Sequence, residues 1–522
     1  MTGARAPGCW EQRLLRMLML ACLLSAGAWC EANSTKWLAD ADIWVHLSTG
    51  DWILRNHTVP HTALFTQHSE LEWAAASWGF DAVLAYGVKT FGLRAIPLLG
   101  MIFITMLAVA AFQLAQGWRG RTWLAAGLSA AAVYELSEGA PGPWMTSAIL
   151  FAIELDILMR CRNSKNSRAM RWLPVLFLFW ANLDSQFLYG LLILGLYTGV
   201  LVIETGGWRL KNGNWPEEAG LRASAFYSVL SVAATVISPY ALAPYKALGH
   251  SAIGPLGETV LDSLHAMSFR LPQHYALLLL TSLACFALGK RRSRDGFKIC
   301  ALGVCVALAF RWNQDIWIGT LMAVAVIADG TYRGEFVGEA TGGAGSFRYG
   351  EGLIAGAVAA VLIMLASTRI PPEQALRSAV AREFPVKAAE YIREARLSPP
   401  LYNAYAWGGF LTWYLPEYPV AIDGRMEMYG RAINESFFET STGLRPAEQD
   451  WEIGQAQTFL LKKESRLRDA VSQLEGVETV YEDELAVVMK RNAPMPARSG
   501  GMRGVKPESQ ASGTKMEASS SR

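Results

Sequence analysis

The chain has 522 residues, of which 52% are apolar and only 18% charged, where a soluble globular chain carries about 25%. A net charge of +2 supplies no bulk field for nucleic acid. The seven cysteines show neither CxxC nor zinc-ligand spacing, which leaves no basis for a disulfide framework or a zinc module.

The missing charge reflects long apolar runs. A span needs about 20 mostly apolar residues. The first candidate is Leu14 to Trp29, preceded by Arg5, Arg13 and Arg16. It is read as an uncleaved span because the chain continues as a polytopic protein. Further candidates fall at about 95–117, 122–138, 143–160, 171–185, 186–204, 223–238, 274–289, 297–311, 314–328 and 350–367. The fold class expected is an α-helical polytopic membrane protein with about eleven transmembrane helices over residues 1–369. A small C-terminal α/β domain is expected at 370–490, and a disordered tail at 491–522.

Basic loops orient the spans. Arg160 to Arg171 and Lys290 to Arg294 are rich in Lys and Arg, with no acid in either. With the N-terminus in the cytoplasm both face inward, provided 79–92, which contains Asp81 and Lys89, does not cross. Residues 31–94 and 239–273 then form long outer loops, and the C-terminal domain is extracytoplasmic. All seven histidines (His46, His57, His61, His68, His250, His265, His274) fall on that outer side.

Directly after the first span, Asp40-Ala-Asp-Ile-Trp-Val-His-Leu-Ser-Thr-Gly-Asp-Trp-Ile-Leu54 reads as a helix on the membrane surface, with Trp37, Trp44 and Trp52 at the interface. Asp42 and His46 are four apart and share a face. Such a pair is a candidate for proton transfer or metal binding. Asp40 suits an N-cap or the helix dipole. Farther along, Trp180-Ala-Asn-Leu-Asp184 with Phe187 and Gly190 interrupts an apolar run, Ser238-Pro-Tyr240 opens the second outer loop, and Arg311-Trp-Asn313 ends a late span. Acids near the membrane mark candidate sites: Glu135, Glu138, Glu258 and Asp262 toward the outer face, and Glu154 and Asp156 within a span, where Arg160 is a candidate partner.

In the C-terminal domain, 383–394 reads as an amphipathic helix, 401–403 and 419–422 as strands, 450–459 and 464–474 as helices, and 477–481 with 485–489 as a hairpin. Trp407-Gly408-Gly409 predicts a tight turn where a backbone or ligand approaches closely. Asp423-Gly424-Arg425 predicts a second turn. With Tyr429 nearby, these residues form a candidate sugar- or phosphate-binding surface. The bland alternative is a structural turn with a local Asp–Arg pair.

The first-loop motif, followed by Val59-Pro60, Phe65-Thr66 and Trp78, resembles the first periplasmic loop of bacterial membrane glycosyltransferases of the GT-C superfamily. These enzymes take a sugar from a polyprenyl-phosphate carrier at the outer face of the membrane. The resemblance implies an acidic catalytic residue, Asp40 or Asp42, that deprotonates the acceptor or helps hold a divalent cation such as Mg or Mn with His46. Trp180 to Asp184 resembles a Trp-Ala-Asn-Leu-His segment of such proteins, with Asp184 in place of histidine. Ser238-Pro-Tyr240 resembles an Asn-Pro-Tyr-Gly segment, and Arg311 stands in the place of a buried arginine. Trp407-Gly-Gly-Phe-Leu and Asp423-Gly-Arg are similar to a common GT-C ending, and loosely similar to the Trp-Trp-Asp-Tyr-Gly segment of oligosaccharyltransferase catalytic subunits. The partners implied are the lipid membrane, a polyprenyl-phosphate sugar and a glycan, lipid or protein acceptor, in a bacterial cytoplasmic membrane. The competing readings are a non-catalytic scaffold of the same fold and a transporter or flippase. No repeat of two similar halves supports the transporter.

Overall fold

The structure, a computed structural model, describes residue 27 and residues 35–116, 122–137, 142–164, 166–212, 219–246, 265–290, 292–330, 358 and 360–492. The expected first span apart from Gly27, most of the last one, Glu138, Glu258, Asp262, His250 and the tail after 492 lie outside the described residues.

The first-loop helix α1, Ala41–Asn56, leads to α2, Trp78–Phe91, and α3, Ala95–Gln116. The run from Trp78 to Gln116 is long and apolar enough to hold a membrane span, but it is not one rod. Twenty-three residues of straight helix would separate Phe80 from Phe103 by roughly 34 Å, yet their rings stack at 5.9 Å. The chain reverses at Gly92, whose φ of 66° suits a residue without a Cβ, and α2 runs back along α3. The bundle continues with α4 (Thr122–Leu136), α5 (Pro143–Ser164), α6 (Leu173–Trp180), α7 (Phe187–Asn212) and α8 (Ala219–Thr235). It closes with α9 (Pro272–Lys290), α10 (Gly296–Arg311) and α11 (Ile316–Gly330).

By length and composition, three stretches among the described residues can cross a membrane: Trp78–Gln116, Phe187–Gly206 and Pro272–Lys290. The expected count of about eleven is not reached by that measure. The 171–185 candidate is a 3-10 turn, an eight-residue helix and the start of a break at 181–186. Several others are well-formed but shorter helices.

The C-terminal part holds α12 (Glu373–Glu383), α13 (Val386–Glu394), α14 (Tyr405–Tyr414) and α15 (Met426–Thr442), then α16 (Trp451–Gln455) and α17 (Arg466–Ser472). Its mixed sheet has strands β1 (Leu401–Asn403), β2 (Thr458–Lys462), β3 (Val477–Glu482) and β4 (Ala486–Arg491), in the order β1-β2-β4-β3. β1 and β2 are parallel, and the other pairs are antiparallel. The expected hairpin is present. The expected helix at 450–459 stops at Gln455, and Phe459 lies in β2, where it pairs with Tyr402 and Met489. The expected strand at 419–422 is reduced to bridges at Val420.

Two features join the first loop to this domain. Val420 bridges both Leu401 and Thr66 in parallel, so loop residues 65–67 extend the sheet edge. In addition, one apolar core runs from Trp37 and Ile104 through Trp317 to Phe410 and Val488. The expectation that Trp37 and Trp44 lie at the lipid interface is corrected: they are 1% and 0% exposed. Trp37 occupies the notch left by Gly100. Trp44 packs on Trp413 at 4.6 Å and edge-on to Phe410 at 5.5 Å.

Candidate functional site

The site grows from the first turn of α1. Asp40 has extended backbone, and its side chain accepts the Asp42 N–H at 3.0 Å. It is the N-cap of the helix, satisfying a donor that would otherwise lack a partner. Asp42 is different: it is exposed to solvent at a recess, and no hydrogen bond from the described residues reaches its carboxylate. Its Oδ1 lies against the Cα of Gly424, where a Cβ would overlap it.

One turn on, His46 Nδ1 lies 2.7 Å from Asp81 Oδ1 on α2. Ser77 Oγ donates to the same oxygen at 3.2 Å, and the Phe80 ring packs edge-on to the imidazole at 5.4 Å. The two helices meet this closely because of Gly50, where a Cβ would run into the Asp81 carbonyl.

The third wall is the C-terminal motif. Trp407, Gly408 and Gly409 sit inside α14 rather than in the expected turn. A Cβ on Gly408 would collide with the Ile422 carbonyl, and one on Gly409 with the Ala41 carbonyl. The paired glycines therefore let α14 wedge between the start of α1 and the 420–424 segment. Thr412 Oγ1 and Ser48 Oγ hydrogen-bond across that crossing at 2.8 Å. Trp407 is 3% exposed, so it and both glycines serve as packing.

Asp423, fully buried, accepts from Arg425 Nε at 2.9 Å and Nη2 at 2.6 Å, and from the Tyr429 hydroxyl at 3.0 Å. Arg425 Nη2 also donates to the Leu64 carbonyl at 2.8 Å, and the guanidinium lies 4.7 Å from the Trp73 ring centre. The Asp423–Arg425 turn thus ties the first loop in place, with most of the arginine's donors spent on it. Tyr429 also bonds Thr66 at 3.2 Å. Beside it, His68 Nε2 pairs with Glu452 Oε1 at 2.7 Å.

Burial, then the charge of Asp42, push the Asp40 carboxyl up to about 7. Asp42, though open at the recess, is raised by the desolvating protein packed around it and by Asp423, against the opposing pull of His46. For His46, burial favours the neutral ring, but the charge and hydrogen bond of Asp81, with Asp42 and Asp40, outweigh it and raise the imidazole. Tyr405 is raised by burial and by the charges of Asp42, Asp423 and Asp40, which places it at the same recess.

Mg is usually held by one or two carboxylates, with water and substrate phosphate completing its oxygen shell. Among the described residues no three His, Cys, Asp or Glu side chains are grouped to hold an ion. Asp40 is engaged as a cap, His46 Nδ1 is held by Asp81, and Asp423 is saturated. Asp42 is the carboxylate of this set left open, and no step below passes through a cation.

Sequence reasoning missed Asp81 and Tyr405. A lone acid in an apolar run was the available signal for Asp81, but its partner lies 35 positions away. Asp184 accepts from Ser147 at 2.5 Å, and Ser147 in turn accepts from Trp180 Nε1 at 2.7 Å. Asn182 accepts from Trp78 Nε1 at 3.0 Å, so the Trp180–Asp184 break docks onto α2. The Tyr240 hydroxyl donates to the Pro60 carbonyl at 2.8 Å. Arg311, expected to be buried, is exposed at the end of α10 beside Trp312. Asp156 pairs with Arg160 at 2.7 Å, as expected. Glu154 is fully buried beside Trp180, at the space left by Gly190.

No protein-family model matches the chain, and no curated protein matches it. Among solved structures it is similar to ArnT from Cupriavidus metallidurans in the apo state, with 14% identity and a TM-score of 0.38 over 90% of this chain and 97% of that one. It is likewise similar to ArnT from the same organism bound to undecaprenyl phosphate, with 13% identity and a TM-score of 0.37 over the same shares.

Proposed function

We propose that the chain is a membrane glycosyltransferase that moves a sugar from a polyprenyl-phosphate donor to a glycan, lipid or protein acceptor at the outer face of the cytoplasmic membrane. The observation that carries this reading is Asp42: a carboxylate open at the recess, without a hydrogen-bond donor among the described residues, its pKa raised by the desolvating protein around it, set between the His46–Asp81 pair and the Asp423–Arg425 turn. A carboxylate with a raised pKa is a competent general base near neutral pH. Asp42 takes the proton of the acceptor hydroxyl. The acceptor oxygen then bonds to the sugar's anomeric carbon, and the bond from that carbon to the carrier phosphate breaks. An apolar groove of about 580 Å³, lined among others by Ile102, Met106, Val109, Ile149, Ile153 and Ile363, offers a place for a prenyl chain.

The test uses the full chain in lipid, a panel of radiolabelled polyprenyl-phosphate sugars and membrane extract as acceptor. Asp42→Asn should lower transfer by about 100-fold or more with unchanged melting behaviour. Asp40→Asn should keep most transfer, since Asn caps a helix as well as Asp does. Equal transfer by wild type and both variants would overturn the mechanism.

A further inference from the structure

We propose that Asp81 is a positioning residue: it holds the His46 imidazole by Nδ1 so that Nε2–H is presented to the phosphate of a polyprenyl carrier entering the recess beside Asp42. This rests on the polyprenyl-phosphate reading above and names the group that recognises the phosphate.

Four observations carry it. His46 is bonded at Nδ1 at 2.7 Å by a carboxylate that is itself only 1% exposed, and Ser77 Oγ, donating to the same carboxylate oxygen, fixes its direction. Phe80 packs edge-on against the ring, so the imidazole has little freedom to turn. Because the two ring nitrogens lie on different edges, anchoring Nδ1 on α2 turns Nε2 away from that helix. Asp42, one helical turn before His46, shares its face of α1.

The charge inventory then singles out His46. A phosphate at this recess needs a positive partner. Arg425 is committed through Nε and Nη2 to Asp423 and the Leu64 carbonyl, and its remaining nitrogen, Nη1, is buried out of reach of solvent. The positive group that Asp42 senses is His46. A carboxylate behind an imidazole favours the imidazolium and fixes its orientation, as in an Asp–His pair of a hydrolase triad. Here the forward N–H is left to bind an anion. The close packing of α1 on α2 at Gly50 exists, on this view, to bring the two residues within bonding distance.

The experiment is a binding cycle on the full chain in lipid nanodiscs, with polyprenyl phosphate lacking any sugar as the probe. His46→Gln and Asp81→Asn should each weaken binding by about tenfold to a hundredfold, the range of one charge-assisted hydrogen bond. The double variant should be no weaker than His46→Gln alone, because coupled residues are not additive. Asp81→Glu should recover most of the binding, which loss of a merely structural contact would not allow. Additive losses, unchanged binding in Asp81→Asn, or no binding of polyprenyl phosphate by the wild type would each overturn the assignment. If coupling is found but no sugar donor supports transfer, the phosphate site stands and the transferase reading falls.

Discussion

Replacing Gly424 by Ala separates positioning of Asp42 from folding. Gly424 does not have the left-handed backbone that only glycine favours, and the atom in the way is the end of a side chain: a Cβ would stand 3.0 Å from Asp42 Cγ and overlap Oδ1. An ordinary carbon–oxygen approach is about 3.3 Å, so the carboxylate must retreat by about 1 Å. A carboxylate at an open recess can do this by turning about its side-chain bonds at a cost of about 1 kcal/mol, so stability should fall little. Misplacement of a reacting group by about 1 Å can cost about 100-fold in rate. Gly408→Ala is the control. There the added methyl meets the Ile422 carbonyl, which is backbone and cannot swing away, and about 1–3 kcal/mol of stability should be lost. The assay is transfer turnover beside thermal unfolding for both variants. Full activity in a well-folded Gly424→Ala protein would refute the argument that Asp42 must stay where the structure places it.

The His68–Glu452 pair predicts a pH dependence. Burial pulls the His68 pKa down, but the hydrogen bond and charge of Glu452 outweigh it, leaving the folded value above the ordinary 6.5. A raised histidine stabilises fully below its unfolded value, and that contribution fades as pH rises through the folded value. The melting difference between wild type and His68→Gln should therefore be largest below pH 6.5 and shrink above it; a difference that grows with pH contradicts the pair. Glu373 accepts the Leu93 N–H at 3.0 Å at the α2–α3 reversal. Glu373→Ala should cost about 1–2 kcal/mol and speed hydrogen exchange at Leu93, whereas unchanged exchange there would show that the turn stands alone.

Local chemistry made parts of this molecule legible. The cap at Asp40, the extent of α1 and the closing hairpin follow from residue types and spacings within a dozen positions. What failed was non-local. Trp44 looks like an interfacial tryptophan until α14, more than 360 residues later, covers it. Gly408 and Gly409 look like a turn because glycine signals either a special backbone angle or a close approach, and only the tertiary partner tells which. Thr458 to Lys462 is too short an apolar run for periodicity to separate strand from helix; pairing on both sides decides it. Asp81 could not be matched to His46 without the packing of α2 on α1 at Gly50. The site was thus half readable: its carboxylate and imidazole are local to α1, while the groups that fix them are not.

The bond between the Thr66 hydroxyl and the Val420 carbonyl spans 354 positions, and Arg425 reaches the Leu64 carbonyl across 361. Residues 64–66 must therefore wait, during synthesis, until residues 420–425 have left the ribosome before the edge they pair with exists. A chain cut short before Tyr429 would carry the first-loop acid yet lack the wall that shapes its surroundings. The order of synthesis is in this sense built into the recess: a product that stops short of Val420 has a helix with an aspartate, and only one that runs past Tyr429 has the wall of the site.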